Sequence, residues 1–277
     1  MKVKFFIPVL VLLFTSPSFS CQLKQKESLI VGCSYRCDMF YRLRLKLSAL
    51  ALRYPIKIVD LRNSSYDLST IDALLIPGGA DIDPVYYQDQ VTPELGEYIK
   101  KNSHLVHFSY EGKFRDQFEF DLVKNYSQKE EYQHLPLLGI CRGMQMMTVA
   151  EKIPLYLDIK TELGIKNRKY VFDRINVTDE NSTMVKLYGK NSFRGFEIHH
   201  QGLRVPYFNQ HQEEFSRVKV SAYSNNGLIA EAIEYQHRPA IGVQFHPEKS
   251  LFRTSGPILH WFLKKACEYK NSKKERL

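Results

Sequence analysis

One run of aliphatic residues limits what this chain can fold into more than any other feature. Residues 135–140 are apolar at nearly every position, so the strand that they predict is apolar on both faces. Such a strand belongs in a parallel sheet that is covered by helices on both sides. The run continues through Cys141 and Gly143 into a predicted helix, Met144 to Glu151. The segment therefore predicts an α/β fold.

The other apolar runs extend this pattern along the chain. Predicted strands at Leu29–Cys33, Ile56–Val59 and Ala73–Ile76 alternate with predicted helices at Phe40–Arg53 and Phe118–Tyr126. That alternation favours a layered α/β domain with a central, mostly parallel sheet. In the C-terminal third, short strands separated by turn residues predict an antiparallel addition, which a last helix closes: 218–222, 228–234, 240–244 and then 256–269. We expect one domain over residues 21–277.

The first twenty residues differ from the rest of the chain. Lys2 and Lys4 form a basic start, residues 5–14 are apolar, and the small residues Ser18 and Ser20 precede Cys21. Ten residues of helix cover about 15 Å, half of a bilayer core. The arrangement predicts a removable secretory signal at residues 1–20, with no integral membrane span after its removal. We expect an exported protein, periplasmic or secreted. Lipid attachment at Cys21 by a bacterial lipoprotein route is an alternative.

Composition narrows the class of protein. The chain has 277 residues, of which 44% are hydrophobic, enough for a large core. The formal net charge is +9, and +7 once residues 1–20 are removed. Basic residues are scattered, except for a cluster within residues 270–276 that a solvated helix end explains. The charge permits attraction to anionic substrates, but the sequence predicts no nucleic-acid site.

The cysteine count points to a free thiol. Five cysteines are present, and an odd number leaves at least one unpaired in an exported chain. Cys33 and Cys37 are close enough in sequence to bond if the backbone allows it. There is no metal-type C-x-x-C pair and no phosphate-binding loop. We therefore expect neither a metal nor an organic cofactor.

Cys141 stands where a reactive thiol would be expected. The order strand, Gly139-Ile-Cys141-Arg-Gly143, helix is the context of a nucleophile elbow, in which glycines permit a sharp turn. At the start of a helix, the dipole and the unpaired amides stabilise a thiolate. A buried, inert cysteine is the alternative interpretation.

The rest of the sequence offers the groups that a cysteine nucleophile needs. A base and its orienting group are available as His246 and Glu248, two residues apart after a predicted strand. An oxyanion hole requires two amides. Arg142 can supply one directly after the cysteine, and Gly79, in the turn Pro77-Gly78-Gly79, can supply the other. We predict a site built from these residues and Cys141.

Four segments, taken together, resemble a known family. IPGGADIDP, RDQFE, LLGICRGMQ and IGVQFHPE occur in the order found in class I glutamine amidotransferase-like hydrolases, over residues 28–263. The most similar branch is the γ-glutamyl hydrolase group, which includes γ-glutamyl-γ-aminobutyrate hydrolases. The resemblance implies a flavodoxin-like sheet, a Cys141-His246-Glu248 triad, and cleavage of a small-molecule γ-glutamyl amide through a thioester.

The resemblance also implies further site residues. Gln145 matches a position that contacts the glutamyl group, and the pair His199-His200 matches a segment near the substrate pocket. Residues 115–119 match a motif that we interpret as structural, anchoring the helix before the nucleophile strand. The chain departs from the family pattern at residues 152–158 and 196–197 and in the long segment 100–113. These departures put the identity of the substrate, rather than catalysis, in doubt.

Two other functions remain open. One is a glutaminase subunit that passes ammonia to a synthase, which export would separate from a cytoplasmic partner. The other is a non-catalytic binding protein on the same scaffold. The sequence determines neither the departing amine nor the oligomeric state.

Overall fold

The structure is a computed structural model that describes residues 21–23, 27–63, 67–108, 112–165, 171–189, 192–250 and 252–275. The predicted signal segment, residues 1–20, lies outside these ranges. Within them, no helix is both long enough and apolar enough to cross a membrane.

Strands and helices alternate through the first half of the described chain. The strands are β1 (Leu29–Cys33), β2 (Ile56–Asp60), β3 (Ala73–Ile76), β4 (Leu137–Ile140), β5 (Leu155–Tyr156), β6 (Val171–Val177), β7 (Phe193–Glu197), β8 (Gly202–Leu203), β9 (Val218–Ser224), β10 (Ile229–Tyr235) and β11 (Ala240–Val243). The helices are α1 (Met39–Leu52), α2 (Pro93–Lys101), α3 (Gly112–Gln128), α4 (Arg142–Ala150), α5 (Ile159–Leu163), α6 (Thr183–Tyr188), α7 (Val205–Gln210) and α8 (Phe252–Glu275).

The central sheet has the strand order β2-β1-β3-β4-β11-β10-β9-β6-β7. Its first five strands are parallel to one another, and β10, β9, β6 and β7 follow as an antiparallel extension. This confirms the predicted α/β fold with a flavodoxin-like sheet and an antiparallel addition. One prediction was wrong in detail, because β11 belongs to the parallel half: Gly242 is paired with Gly139 of β4. Strand β11 is buried at every position, as β4 is, and such burial is typical of a parallel strand.

Helices cover both faces of the parallel half. Leu74 and Ile76 of β3 lie in the core beneath α3 and α4, whereas Ala73 and Leu75 lie in the core beneath α1 and α8. Successive side chains of a strand point to opposite faces, so two cores require a strand that is apolar throughout. The aliphatic runs seen in the sequence meet this requirement.

Helix α4 crosses very close to the carboxyl end of β3. A Cβ atom at Gly143 would overlap the carbonyl oxygen of Ile76. A Cβ atom at Gly139 would lie 2.6 Å from Sδ of Met147 and 2.7 Å from the backbone of Gly143. Only glycine permits this approach. It brings the beginning of α4 next to Pro77, the residue that follows β3.

Two disulfides leave one cysteine free. Cys21 is bonded to Cys267 of α8, and Cys33 to Cys37, while Cys141 has no disulfide partner. The close spacing of Cys33 and Cys37 had suggested their bond, whereas the pairing across 246 residues has no local signal. Because the sulfur of Cys21 is used in this bond, a lipid thioether on the same sulfur would exclude the disulfide.

Candidate active site

Cys141 lies in a strained turn between β4 and α4. Its backbone angles are φ 53° and ψ −108°, a region that residues with a side chain rarely adopt. Its N–H donates to the carbonyl of Val243 at 2.7 Å, which ties the turn to β11. The thiol is nearly buried, with Sγ 3.9 Å from the carbonyl oxygen of Ile198. Such strain persists only where the surrounding structure enforces it, and it is the geometry of a nucleophile elbow.

His246 and Glu248 form a hydrogen-bonded pair directly after β11. Nδ1 of His246 lies 2.7 Å from Oε1 of Glu248, and both side chains are buried. The backbone N–H of His246 donates to Phe196 at 2.7 Å. The carbonyls of Glu248 and Ser250 accept hydrogen bonds of 3.0 and 2.9 Å from Arg44 of α1. The carboxylate therefore fixes a tautomer with the proton on Nδ1, which leaves Nε2 to exchange protons.

The imidazole of His246 lies beside Cys141. A Cβ atom at Gly78 would lie 3.1 Å from Cε1 of His246 and 3.5 Å from Cβ of Cys141, so both groups line the same side of this glycine. Nε2 of His246 has no hydrogen-bond partner among the described residues. Burial disfavours the imidazolium, but the Cys141 thiolate and Glu248 outweigh it and raise the pKa of His246 to about 10. The imidazole of His246 therefore favours its protonated form beside the sulfur of Cys141.

In the turn after β3, the peptide group that joins Pro77 and Gly78 is hydrogen-bonded on both sides. The Pro77 carbonyl accepts a hydrogen bond of 2.7 Å from Nη2 of Arg115, and the Gly78 N–H donates to Oη of Tyr41 at 2.9 Å. Burial and the charges of Glu248 and Cys141 raise the pKa of Tyr41 well above its ordinary value, so it stays neutral. With the preceding plane fixed, the N–H of the next residue, Gly79, is the one left for an oxyanion.

Gly79 lies against the side chains of two arginines. A Cβ atom there would overlap Nη1 of Arg115 and lie 3.1 Å from Cδ of Arg142. Arg142 is the first residue of α4, so its own N–H has no partner within the helix. Gly79 and Arg142, whose amides are predicted to form an oxyanion hole, thus lie in contact, and Arg142 directly follows Cys141.

The side chain of Arg142 is buried in a network of charges beneath these amides. It forms ion pairs with Asp116 and Glu119 of α3, and Glu119 also pairs with Arg115 at 3.1 Å. Ser34 donates to Glu119 at 2.6 Å. Burial raises the pKa of Asp116 against the opposing charge of Arg142, and burial lowers the pKa of Arg142 to about 9. In formal charge, the network contains two arginines and two carboxylates.

The same network reaches the loop that carries Gly79. Asp116 accepts a hydrogen bond of 3.0 Å from the N–H of Asp83, and Arg115 holds Pro77. The motif at residues 115–119 was predicted to be structural. Its acidic residues hold the side chain of Arg142, which follows Cys141, and its arginine holds the turn that leads to Gly79.

Gln145, on α4, has a buried side chain. Its Nε2 donates to the carbonyl of Gln201 at 2.9 Å and lies 3.4 Å from Oε1 of Gln244. The side chain of Gln201 in turn accepts from the N–H of Ile82 at 3.0 Å. The substrate contact expected for Gln145 stays a prediction, and the geometry shows it bracing the segment around residue 201 against α4.

His199 is turned into the protein. Its Nδ1 is 2.8 Å from the Gln201 carbonyl, and its Nε2 is 3.3 Å from Oε2 of Glu197. With Glu231, these residues form the one group of possible metal ligands found in the described part of the chain, all within 4.8 Å of one another. An imidazole and two carboxylates suit a divalent cation. However, both glutamates make further interactions, so their burial does not require one. The substrate contact expected for His199 stays a prediction.

His200, in contrast, is partly exposed and bridges two aspartates. Its Nδ1 lies 3.0 Å from Asp158, and its Nε2 lies 2.9 Å from Asp81, two residues after Gly79. Burial lowers the pKa of His200, but the bonds and charges of both carboxylates outweigh it, so the net shift is upward. The bridge joins three segments near Cys141: the loop after β3, the turn after β5 and the segment after β7.

The sequence did not reveal two residues that position this site. Tyr41 and Arg44 lie three positions apart on α1 and contact the Gly78 amide and the turn around Glu248. Within the sequence they are ordinary members of a leucine-rich helix. The one local signal for them is that a tyrosine and an arginine, three positions apart, interrupt the leucine-rich pattern of this helix.

Comparison with known proteins agrees with the geometry. A family model described as peptidase C26 matches residues 23–248, a range that ends at Glu248. The chain belongs to the peptidase C26 family. This confirms its resemblance to the class I glutamine amidotransferase-like superfamily, and membership supports a hydrolase or glutaminase-type function.

Relatives of this family member are glutamine amidotransferase-like. A protein of that description from Lactococcus lactis is 27% identical over 65% of this chain and 67% of its own length. A glutamine amidotransferase of Mycobacterium tuberculosis is 29% identical over 73% of this chain, which spans 58% of that relative's length. The glutaminase domain of Trypanosoma brucei CTPS, solved with bound acivicin, superposes with a TM-score of 0.63. It is 14% identical, with 87% of this chain and 94% of that chain covered, and so shows the fold alone.

The charge network of this C26 chain predicts a large effect of removing Arg142. Replacing it in Arg142→Met leaves two buried carboxylates short of their partner, which should lower the free energy of unfolding by about 3–5 kcal/mol. Lys100→Gln is the control, because Lys100 pairs with Asp89 on the surface at 2.6 Å and should cost less than about 1 kcal/mol. Urea unfolding with the disulfides intact measures both. Similar losses in the two variants would contradict the assigned role.

The pair formed by His246 and Glu248 predicts a change in pH dependence. Glu248→Gln removes a negative charge that raises the pKa of His246, so the imidazolium should be lost at a lower pH than in the wild type. The alkaline limb of kcat/KM should shift to lower pH, with activity about 10²–10⁴-fold lower. Asp179→Asn, which removes a surface carboxylate paired with Lys219, is the control. An unshifted limb in Glu248→Gln would show that the carboxylate does not act on His246.

Proposed function

We propose that this protein is an exported cysteine hydrolase that cleaves γ-glutamyl amide bonds through a thioester on Cys141. The observation that carries the proposal is the convergence of a thiol in a strained turn, an imidazole–carboxylate pair and two amides at the carboxyl edge of a parallel sheet. Class I glutamine amidotransferase-like relatives support the choice of a glutamyl substrate.

The first half of the reaction starts from Cys141 as a thiolate and His246 as an imidazolium. The thiolate of Cys141 attacks the γ-carbonyl carbon, and the oxygen that becomes negative accepts hydrogen bonds from the amides of Gly79 and Arg142. His246 gives its Nε2 proton to the departing amine as the carbon–nitrogen bond breaks. A γ-glutamyl thioester and a free amine result.

The second half regenerates the thiolate of Cys141 and the imidazolium of His246. His246, now neutral, takes a proton from water, and the hydroxide attacks the thioester carbonyl within the same pair of amides. Glutamate leaves as the carbon–sulfur bond breaks. Glu248 holds the imidazole in one tautomer through both steps and stabilises its charged form.

Export is supported by two independent features. The leader pattern in residues 1–20 is that of a secretory signal. Four of the five cysteines are paired in disulfides, which persist in oxidising compartments and are rare in the cytosol. Both features favour the periplasm or the exterior over the compartment of a synthase.

A glutaminase that delivers ammonia to a synthase is the second candidate. It is favoured by the similarity to the glutamine amidotransferase of Mycobacterium tuberculosis, which is 29% identical over 73% of this chain. Glutamine would then be the substrate in place of a γ-glutamyl amide with a larger amine, and the residues around Cys141 would act in the same way.

A release assay separates these functions. The protein from Cys21 onward, which contains every described residue, is incubated with glutamine and with a panel of γ-glutamyl amides, and free glutamate is quantified. We expect release from at least one amide in preference to glutamine. Cys141→Ala should lose it by at least about 10³-fold, and Asp179→Asn is the matched surface control.

Each other outcome decides against the proposal. Release from glutamine alone would favour the synthase-linked glutaminase. No release by folded, reduced protein, or release that Cys141→Ala retains, would indicate a binding protein or a different nucleophile.

A further inference from the structure

The outer face of α1 carries an unusual concentration of exposed apolar side chains. Five of the large hydrophobic residues that are solvent-exposed in the described structure lie on this helix: Met39, Phe40, Leu43, Leu47 and Leu50. At 100° per residue, the five fall within an arc of about 100°. They form one continuous stripe, which we call the α1 outer face. Contiguous apolar patches of this kind mark protein or membrane contacts.

Basic residues border the α1 outer face. Lys46 and Arg53 lie along one edge and are exposed, and Arg36 is exposed just before the helix. Arg44, at the other edge, is held by the turn around Glu248. The helix itself contains no acidic residue. An apolar stripe edged by lysine and arginine is the pattern of a helix that lies in the interface of an anionic bilayer.

The opposite side of α1 fixes its orientation. Tyr41, Leu45, Ser48 and Ala49 are buried against the protein, so the stripe points outward and needs no rearrangement to be presented. Tyr54, two residues after this helix, also contacts Cys21: its Oη donates to the carbonyl of Cys21 at 2.8 Å. Cys21, the first residue after the predicted signal segment, therefore lies beside the C-terminal end of α1.

We propose that the α1 outer face docks the protein on an anionic lipid surface. A second copy of this chain fits the face less well. An antiparallel two-fold pairing of this helix would bring two identical basic edges together. Stable interfaces also involve about 20–30 residues on each side, whereas this stripe has five large apolar side chains. On a bilayer, the apolar side chains enter the acyl boundary and Lys46 and Arg53 meet the lipid phosphates.

Docking would bring the candidate active site near the membrane. The inner side of the same helix supplies Tyr41 to the Gly78 amide and Arg44 to the turn that follows His246. A γ-glutamyl substrate released at, or attached to, the membrane surface would then be within reach. The docking inference stands on the helix alone and does not depend on the proposed hydrolysis.

Vesicle flotation tests the proposal. The protein from Cys21 onward is mixed with vesicles of phosphatidylcholine or of an equimolar mixture with phosphatidylglycerol, at low and high salt. We expect flotation with the anionic vesicles that weakens at high salt, and little with the neutral ones. Met39→Glu/Leu50→Glu should reduce partitioning by about tenfold or more.

A matched double variant controls for added charge. Val85→Glu/Phe114→Glu places two glutamates at other exposed apolar positions, where the side chains are 56% and 72% exposed, and should float like the wild type. Thermal unfolding of both variants verifies the fold. Absence of flotation, or equal loss in the two double variants, would overturn the proposal. So would a lipid-free dimer that only Met39→Glu/Leu50→Glu abolishes, which would assign the face to a second copy.

Discussion

The ion pairs between Arg142 and the carboxylates of Asp116 and Glu119 hold the candidate active site together. With Arg115, they make a network of four charged side chains that are buried away from water. Each charge is therefore stabilised by its partners rather than by solvent. Because Arg142 follows Cys141 directly, fixing its side chain fixes the start of α4. Arg115 and Asp116 hold both ends of the loop that carries Gly79. One network therefore holds both segments that carry the amides of the predicted oxyanion hole, those of Gly79 and Arg142.

The strain at Cys141 is supported by the same construction. The turn has a positive φ, and three contacts oppose its relaxation: the hydrogen bond to Val243, the close crossing at Gly143 and the ion pairs of Arg142. Since Val243 ends the strand that leads to His246, the thiol and the imidazole are located by one pair of parallel strands, β4 and β11. Chemistry at the carboxyl edge of the sheet follows from strand pairing, not from flexible loops.

Local sequence was sufficient to predict which groups lie together at the candidate active site and the fold that carries them. Cys141 between glycines and His246 two residues before Glu248 are short-range patterns, and the aliphatic runs predict a parallel sheet. The supporting contacts were not predictable, because their partners are distant in sequence: Tyr41 with Gly78, and Arg44 with Glu248. Strands β6 and β7 were missed because their mixed polarity gives no clear period. The buried orientation of the His199 side chain was not predictable either, because it depends on contacts with Glu197 and with Glu231 of β10.

Hydrolysis through a thioester requires that Cys141 become acylated during turnover, which mass spectrometry of the quenched enzyme can detect. A γ-glutamyl amide is mixed with the enzyme, the reaction is quenched in acid within the first turnovers, and peptides are mapped. We expect a γ-glutamyl adduct on Cys141 that forms at the rate of amine release and disappears on addition of hydroxylamine. Amine release at full rate with no adduct on Cys141, or with an adduct on another residue, would contradict it.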